Sequence, residues 1–399
     1  MIPRIKTVTI KNYKSIAGES VNLEPFTILV GHNGSGKSNF IDALSFVHDC
    51  LAGSIESAFK NRGGINAVRR RSGGHPTNIG IRITMELEEQ MTADYAFEIA
   101  TRKAEKFFIK QEQCLIKNNK GESKQFLIKE GGFEVGIPGI SPKIAPDRLA
   151  LYAGSATPEF RSVYDFLNSM QFYSIVPVRL RELQDPDSGD HLKSDGSNAA
   201  AVLKRVKDEL STEQYDRICR LLSKAVEGVE KVEYKPVGQK ETIQFKLDVG
   251  LKDPWTFDAL NMSDGTLRIL GLLLAVNQPG YQPVIAIEEP EATVHPAVTE
   301  LIVEILVSAS KERQILLTTH SPDLLDYKGI QDSQIKVVTM EKGKSLISDL
   351  AKSSREAIKQ HLYTAGELLR LDELNPDLKQ AEKAAAQQDL FPQFNNVKR

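Results

Sequence analysis

Residues Gly31–Ser38 read GHNGSGKS and fit the spacing Gly-x-x-x-x-Gly-Lys-Ser/Thr in full. Glycines at these places let the backbone curl so that successive N–H groups face one point, and a helix starting here adds its positive N-terminal end. That is a phosphate cradle. Lys37 is placed to reach the β- and γ-phosphates of a nucleoside triphosphate, and the Ser38 hydroxyl to ligate Mg2+. A second cluster lies in VIAIEEPEATVHP, residues 284–296, where four apolar residues run into Glu288, Glu289 and Glu291. Like charges gathered at a strand end raise the local electrostatic energy unless a cation or a reacting water uses them. Glu288 can hold Mg2+ through water, and Glu289 can orient and polarise the attacking water. Glu291, after Pro290, is expected to cap the turn or face solvent. Further on, LLTTHSPDLLD ends an apolar strand on His320, whose imidazole is in position to contact a γ-phosphate.

Such groups need strand ends and a helix to hold them. Residues 4–30 read as two strands, with Ile5, Val8 and Ile10 in the first and the apolar run Phe26–Val30 in the second. After the glycine loop, a helix over about Ser38–Leu51 puts Ile41, Leu44 and Val47 on one face and stops near Gly53. A Gly/Arg-rich loop follows, NRGGINAVRRRSGGHP. Alternating segments over residues 79–135, separated by polar turns, predict an antiparallel meander. Helices are expected over 159–171 and about 196–228, and a hairpin over 231–250. Beyond it come the apolar helix LRILGLLLAV, the strand of Glu288, a helix with Leu301, Ile302, Ile305 and Leu306, and the strand QILLTT. They alternate as βαβ units do. From Pro376 the polar, Ala-rich tail is expected to be a frayed helix or disordered.

The 399 residues are 41% hydrophobic, enough for a large core, and the net charge of −2 gives no global basic field for nucleic acid or an anionic membrane. Three scattered cysteines without CxxC spacing disfavour a disulfide framework and a zinc site. With no apolar leader and no run long enough to span a bilayer, a cytoplasmic, membrane-free protein is expected.

IKNYKSI…ILVGHNGSGKSNFIDAL resembles the N-terminal ATPase segment of the SMC, RecF and OLD group of ABC-type ATPases. NMSDGTLRILGLLLA, VIAIEEPEATVHP and LLTTHSPDLLD resemble, in the same order, its signature, Walker B/D-loop and switch-histidine segments. The specific motifs cover residues 1–45 and 255–327, and the chain looks most like the RecF/OLD-like ATPases of bacteria and archaea that carry no nuclease domain. The resemblance implies an α/β P-loop NTPase of ABC/SMC-head type, with a mixed sheet core, an antiparallel meander and an inserted mainly helical lobe. Residues 1–140 and 280–350 would form the ATPase core lobe, 141–279 the inserted lobe with the hairpin and signature, and 351–399 a helical or flexible tail. ATP and Mg2+ are the implied cofactors. Lys14, Gly31, Asn33, Gly34, Ser35, Gly36, Lys37, Ser38 and Asn39 are implied on the nucleotide, Ser38 and Glu288 on the metal, Glu289 as catalytic base and His320 as switch histidine. Ser263 and Gly265 would contact the γ-phosphate bound by a second subunit, with Ala292–His295 as the D-loop at the dimer seam. Arg69, Arg70 and Arg71 lie where SMC-type heads carry an arginine loop, and equally fit a solvated basic turn.

The chain departs from the family pattern in places. Asp264 stands where the signature has glycine, and Glu288 where Walker B has aspartate. No glutamine occupies the Q-loop, since Gln171 and Gln184 only flank FYSIVPVRLREL; Arg179 or Arg181 is a candidate for part of its role. DPDSGD, residues 185–190, is expected to be an acidic turn rather than a metal site. No Asp-x-Asp motif follows His320, so no built-in nuclease is expected. The resemblance implies an ATP-hydrolysing switch that closes as an ATP-sandwich homodimer and acts in DNA repair or anti-phage defence, through DNA or a partner effector such as a nuclease or toxin. A membrane-transporter ATPase subunit and a nucleotide-binding module without turnover are the alternatives.

Overall fold

Three strands, not the two expected over residues 4–30, open the chain: β1 (Arg4–Tyr13), β2 (Ile16–Asn22) and β3 (Phe26–Val30). β1 and β2 pair antiparallel down to Tyr13 and Ile16, across a turn in which Lys14 takes a left-handed φ of 47°. That turn holds neither Gly nor Pro, so the alternating pattern runs through it without a mark. The computed structural model describes residues 2–71, 78–101, 107–143, 145–386 and 389–391. The last five residues of NRGGINAVRRRSGGHP lie outside them.

After β3 come α1 (Lys37–Ala52), α2 (Ile55–Lys60) and α3 (Ile65–Val68). The expected meander follows as β4 (Ile79–Glu86), β5 (Thr92–Thr101), β6 (Phe107–Lys117), β7 (Ser123–Lys129) and β8 (Gly132–Val135), each antiparallel to its neighbour. Next are α4 (Ala150–Gly154), α5 (Pro158–Asn168), the short β9 (Gln171–Tyr173), α6 (Pro177–Arg181), α7 (Ala199–Glu209) and α8 (Thr212–Ala225). A separate three-stranded sheet, β10 (Val229–Val237), β11 (Lys240–Leu247) and β12 (Trp255–Asp258), carries the expected hairpin. Then α9 (Asp264–Asn277), β13 (Val284–Glu288), α10 (Pro296–Ala309), β14 (Gln314–Thr319) and α11 (Pro322–Leu325) alternate. β15 (Ile335–Glu341), β16 (Lys344–Asp349), α12 (Lys352–Lys359), α13 (Ala365–Arg370) and α14 (Leu378–Ala386) complete the chain.

Among the described residues the main sheet has thirteen strands in the order β8-β7-β6-β5-β4-β1-β2-β16-β15-β3-β14-β13-β9. Its β9-β13-β14-β3-β15 portion is parallel. A parallel strand is covered on both faces and reads as a continuous apolar run, as β3, β13 and β14 do. Alternate residues then serve two different cores. Leu29, Ala286 and Leu316 face one, with α1 and α5; Ile28, Ile287 and Leu317 face the other, with α7, α9 and α10. Helix α9 is buried at every position from Ile269 to Val276 because it lies inside that second core.

Parallel pairing has a direct consequence for the site. Val30 pairs with Thr319, and Glu288 with Thr318, so the loops that follow β3, β13 and β14 leave the sheet at one edge. Gly31, Glu289 and His320 are the first residues beyond it, the usual ligand position of an open parallel sheet.

The described part of the tail docks on the sheet. α14 packs on β2 and β16, Ala381 is buried, and Leu390 is buried with a methyl against Gly80. Residues 387, 388 and 392–399 lie outside the described part.

Where the meander meets the helices, Glu112 of β6 is fully buried; its carboxylate accepts from the N–H groups of Ala150 and Leu151 at 2.6 and 2.9 Å and from the Tyr95 hydroxyl at 3.0 Å. Burial outweighs these bonds and pushes the carboxyl up to about 7. Glu19, also buried, is likewise raised to about 7. A carboxyl raised on folding binds its proton more tightly in the folded state, so its stabilising share is complete below the unfolded value and is lost as pH rises toward 7. The parental thermal midpoint should therefore carry a downward component across that window. In Glu112→Gln this component should be smaller, with Glu19 supplying the remainder. Identical pH profiles for the two proteins, followed by circular dichroism, would contradict the assignment.

Candidate nucleotide site

The loop Gly31–Ser38 is shaped by contacts that only glycine permits. Gly36 precedes α1 at a φ of 108°, and a Cβ there would collide with the Ser345 side chain; one on Gly31 would run into the Val338 carbonyl. Both obstacles come from β15 and β16, so the loop rests on a shelf built some 300 residues later. Hydroxyls lace the two together: Ser345 Oγ donates to the Ser35 carbonyl at 2.7 Å and meets Ser15 Oγ at 2.6 Å, while Asn39 Nδ2 donates to the same Ser15 oxygen at 2.6 Å. Asn33 and Gly34 are exposed at the loop's rim.

Lys37 is buried and folds back on its own loop, donating to the carbonyls of Gly31 at 2.7 Å and His32 at 3.1 Å. Desolvation holds its ammonium below the ordinary lysine value, against the opposing pull of Glu289, Glu291 and Glu288. Ser38 Oγ donates to Glu288 Oε2 at 2.6 Å, which joins the head of α1 to the end of β13. Glu289 has a left-handed φ of 43° and is fixed by its N–H, which donates to the Thr318 carbonyl at 3.0 Å. This aims the side chain back over the edge, where Oε1 lies 3.3 Å from His320 Nδ1. Lys37, Ser38, Glu288, Glu289 and His320 therefore form one constellation.

Glu291 corrects the expectation of a cap or a solvent-facing residue. It is 8% exposed, its Oε1 accepts from Thr319 Oγ1 at 2.5 Å, and its Oε2 has no partner. Burial raises its pKa. Arg268 of α9, which the sequence did not single out, reaches the same turn and donates to the Glu289 carbonyl at 3.3 Å. Thr318, Thr319 and Ser345 were equally unmarked. The doublet TT before His320 was a usable signal, because polar side chains closing a fully apolar strand must serve the loop beyond it; nothing marked Ser345.

Lys14 is tied to the helix that the phosphate loop opens. Its ammonium forms an ion pair with Asp42 of α1 at 2.6 Å, on a carboxylate that also accepts from Tyr13 and Arg62. Burial lifts Asp42, but the bonds from Lys14 and Tyr13 and the charge of Arg62 outweigh it and hold the carboxyl low. Lys14 also lines a cleft of about 350 Å3 with Arg69, Arg70 and Arg71. Arg70 donates to the carbonyls of Ser15 and Gly343, both at 2.9 Å, and Arg69 to Thr101 at 2.9 Å.

Ser263 caps α9, its Oγ accepting from Thr266 N at 3.2 Å, and Gly265 lets the first turn of the helix approach the Thr293 carbonyl. Among the described residues, no hydrogen bond joins Ser263 or Gly265 to the Gly31–Ser38 loop of the same chain. Gln184 is buried in the helical lobe, accepting from Ala200 N at 2.8 Å. The acids of residues 185–190 are ion-paired, Asp185 with Lys240 at 2.5 Å, Asp187 with Lys193 at 3.0 Å, and Asp190 with Arg205. Among the described residues no three His, Cys, Asp or Glu side chains converge on a metal position. Mg2+ takes one or two protein ligands and completes its shell with phosphate and water. Ser38 and Glu288 are the pair that fits.

Residues 4–131 match the family model described as "AAA ATPase domain", and residues 155–326 the one described as "AAA domain, putative AbiEii toxin, Type IV TA system". The chain is 26% identical over 180 residues to "Structural maintenance of chromosomes protein 1" of Schizosaccharomyces pombe, covering 41% of this chain and 14% of that one. It is 45% identical over 49 residues to the "Old nuclease" of Escherichia phage P2, covering 12% of this chain and 8% of that one. It thus spans a small fraction of these relatives' lengths. The crystal structure of a Pyrococcus furiosus Smc head domain with an extended coiled coil, bound to the C-terminal domain of ScpA, superposes with a TM-score of 0.55 at 15% identity, over 90% of this chain and 100% of that one. Among the described residues no helix is long and apolar enough to cross a membrane. The two ATPase-domain models, the relatives and the SMC-head fold together support an SMC/OLD-like P-loop ATPase.

Proposed function

We propose that the protein is an Mg2+-dependent ATP hydrolase that works as a two-state switch, two copies closing head to tail around two ATP molecules and parting after hydrolysis. The observation that carries this is the convergence of Ser38 on Glu288 at 2.6 Å and of Glu289 on His320 at 3.3 Å, at the strand edge where Lys37 also lies. Lys37 would exchange its two loop carbonyls for phosphate oxygens, kept charged by the three glutamates beyond it. Glu289 would take the proton of the attacking water, its position set by the bond to Thr318. His320 would steady that carboxylate from one side and meet the γ-phosphate from the other. Mg2+, held by Ser38 and Glu288, would supply charge neutralisation between the phosphates.

The second copy enters because Ser263 is exposed at the start of α9 and makes no hydrogen bond to its own phosphate loop. A helix N-terminus capped by serine is an anion-facing end, and head-to-tail pairing of two copies would bring it to the partner's nucleotide. The toxin named in the description of the model matching residues 155–326 supports a defence role, with an effector nuclease or toxin, or DNA itself, receiving the change of shape.

Ser263→Arg tests the shared site. The larger side chain sits on an exposed position, so the fold and ATP binding by the single chain should persist, apart from a lost cap of about 1 kcal/mol. Hydrolysis should fall by roughly 100-fold or more, because the composite pocket no longer closes. Parental turnover in this variant would mean that each chain hydrolyses ATP without the other.

A further inference from the structure

Two departures from the signature and Q-loop patterns meet in space. Asp264 puts a carboxylate in the first turn of α9, the turn that would face a triphosphate. Arg181 ends α6, directly after β9 has left the sheet beside β13. Its guanidinium donates to the Met262 carbonyl at 3.0 Å and forms an ion pair with Asp264. An acid alone at this place would repel an incoming polyphosphate. Paired, it becomes a holder: it fixes a planar, permanently charged fork at the mouth of the Ser263 loop. The neighbouring Arg179 points elsewhere, to Glu182 and Asp195 at 3.3 and 3.8 Å.

The surroundings agree with a surface that another copy covers. Arg181 keeps a quarter of its side chain exposed, and Asp264 half. Leu183 and Leu260, on either side in sequence, are 52% and 69% exposed. The guanidinium has donors left over, since its two acceptors use only one of its nitrogens.

We propose that Arg181, held in place by Asp264, is a catalytic residue that acts across the interface, contacting the γ-phosphate of the ATP bound by the second copy. This rests on the sandwich-dimer reading above and adds to it the group that meets the charge growing on the transferred phosphoryl. An arginine supplied in this way from a neighbouring chain is worth a factor of about 1,000 or more in rate.

The experiment combines two inactive variants. Arg181→Ala should bind a fluorescent ATP analogue as the parent does and lose hydrolysis by about 1,000-fold or more. Arg181→Lys, which keeps the charge without the fork, should fall between. Lys37→Ala has an intact Arg181 but only a weak grip on ATP. Mixed in equal amounts, Arg181→Ala and Lys37→Ala should regain about a quarter of the parental rate, because half of the dimers would hold one complete composite site. If Arg181→Ala lowers the thermal midpoint, the same mixing is read with Arg181→Lys. Parental turnover in Arg181→Ala, or a mixture that stays inactive while Glu289→Gln still forms an ATP-dependent dimer, would overturn the assignment of Arg181. A Glu289→Gln protein that binds ATP and remains monomeric would instead overturn the sandwich itself.

Discussion

Lys37→Ala is expected to weaken ATP binding by about two to three orders of magnitude, while leaving the thermal midpoint close to the parental value. The ammonium makes its hydrogen bonds inside the Gly31–Ser38 loop, 2.7 and 3.1 Å from two of its carbonyls. Two charge-assisted bonds to phosphate, at about 1.5–3 kcal/mol each, account for a change of that size. Some affinity should remain, because the backbone N–H groups of the loop and the N-terminus of α1 are untouched by the substitution. The stability should hardly move, since two effects oppose each other. Alanine leaves the Gly31 and His32 carbonyls without their donor, but it also relieves the desolvation that holds Lys37 below its usual value. Isothermal titration with ATP and Mg2+ measures the first claim, and differential scanning calorimetry the second. A dissociation constant within a few-fold of the parent would mean that the loop does not bind a triphosphate through Lys37.

Legibility in the sequence followed the range of the interactions concerned. The phosphate loop, the acidic strand end and His320 could be read because each is a local pattern: a fixed spacing, or an apolar run closed by a charged residue. The meander of β4–β8 was readable for the same reason, as was the alternation from α9 to β14. What failed depended on distant chain. Ser345 supports Gly36 across 300 residues of sequence, and a lone serine in a strand carries no mark of it. Glu291 looks like any charged turn residue after a proline. It is buried because Thr319, from the next parallel strand, reaches it at 2.5 Å. Nor does the motif around Lys14 mark its ion pair with Asp42, whose own environment of Tyr13 and Arg62 is assembled from β1, α1 and the turn after α2. The tail was expected to fray for its composition, yet α14 sets the buried Ala381 on the face of β2 and β16, and an alanine among polar residues is too little apolar pattern to announce docking.

Glu289→Gln should bind ATP and all but stop hydrolysing it. Glutamine keeps the size and shape of the side chain, so the left-handed backbone at this residue and its bond to Thr318 have no reason to change. What disappears is the ability to accept a proton from water, worth about 100- to 10,000-fold in rate for a positioned general base. Binding should not suffer and should tighten, because one of the three carboxylates facing the triphosphate has become neutral. Slow hydrolysis with intact binding would hold the protein in its closed state, so the variant should run as a dimer on gel filtration with ATP and Mg2+ and as a monomer with ADP. The same substitution separates the two neighbouring acids. Glu288 bonds Ser38 at 2.6 Å, so under the proposed mechanism it would be the metal-side group and Glu289 the water-side group. Were Glu288 the base, Glu289→Gln would turn over at the parental rate, and Glu288→Gln would be the variant that traps the dimer. The partition is sharp because the two side chains are consecutive residues on opposite sides of a strand end: the left-handed φ of Glu289 turns its carboxylate toward His320, while Glu288 keeps the extended direction of β13 toward α1.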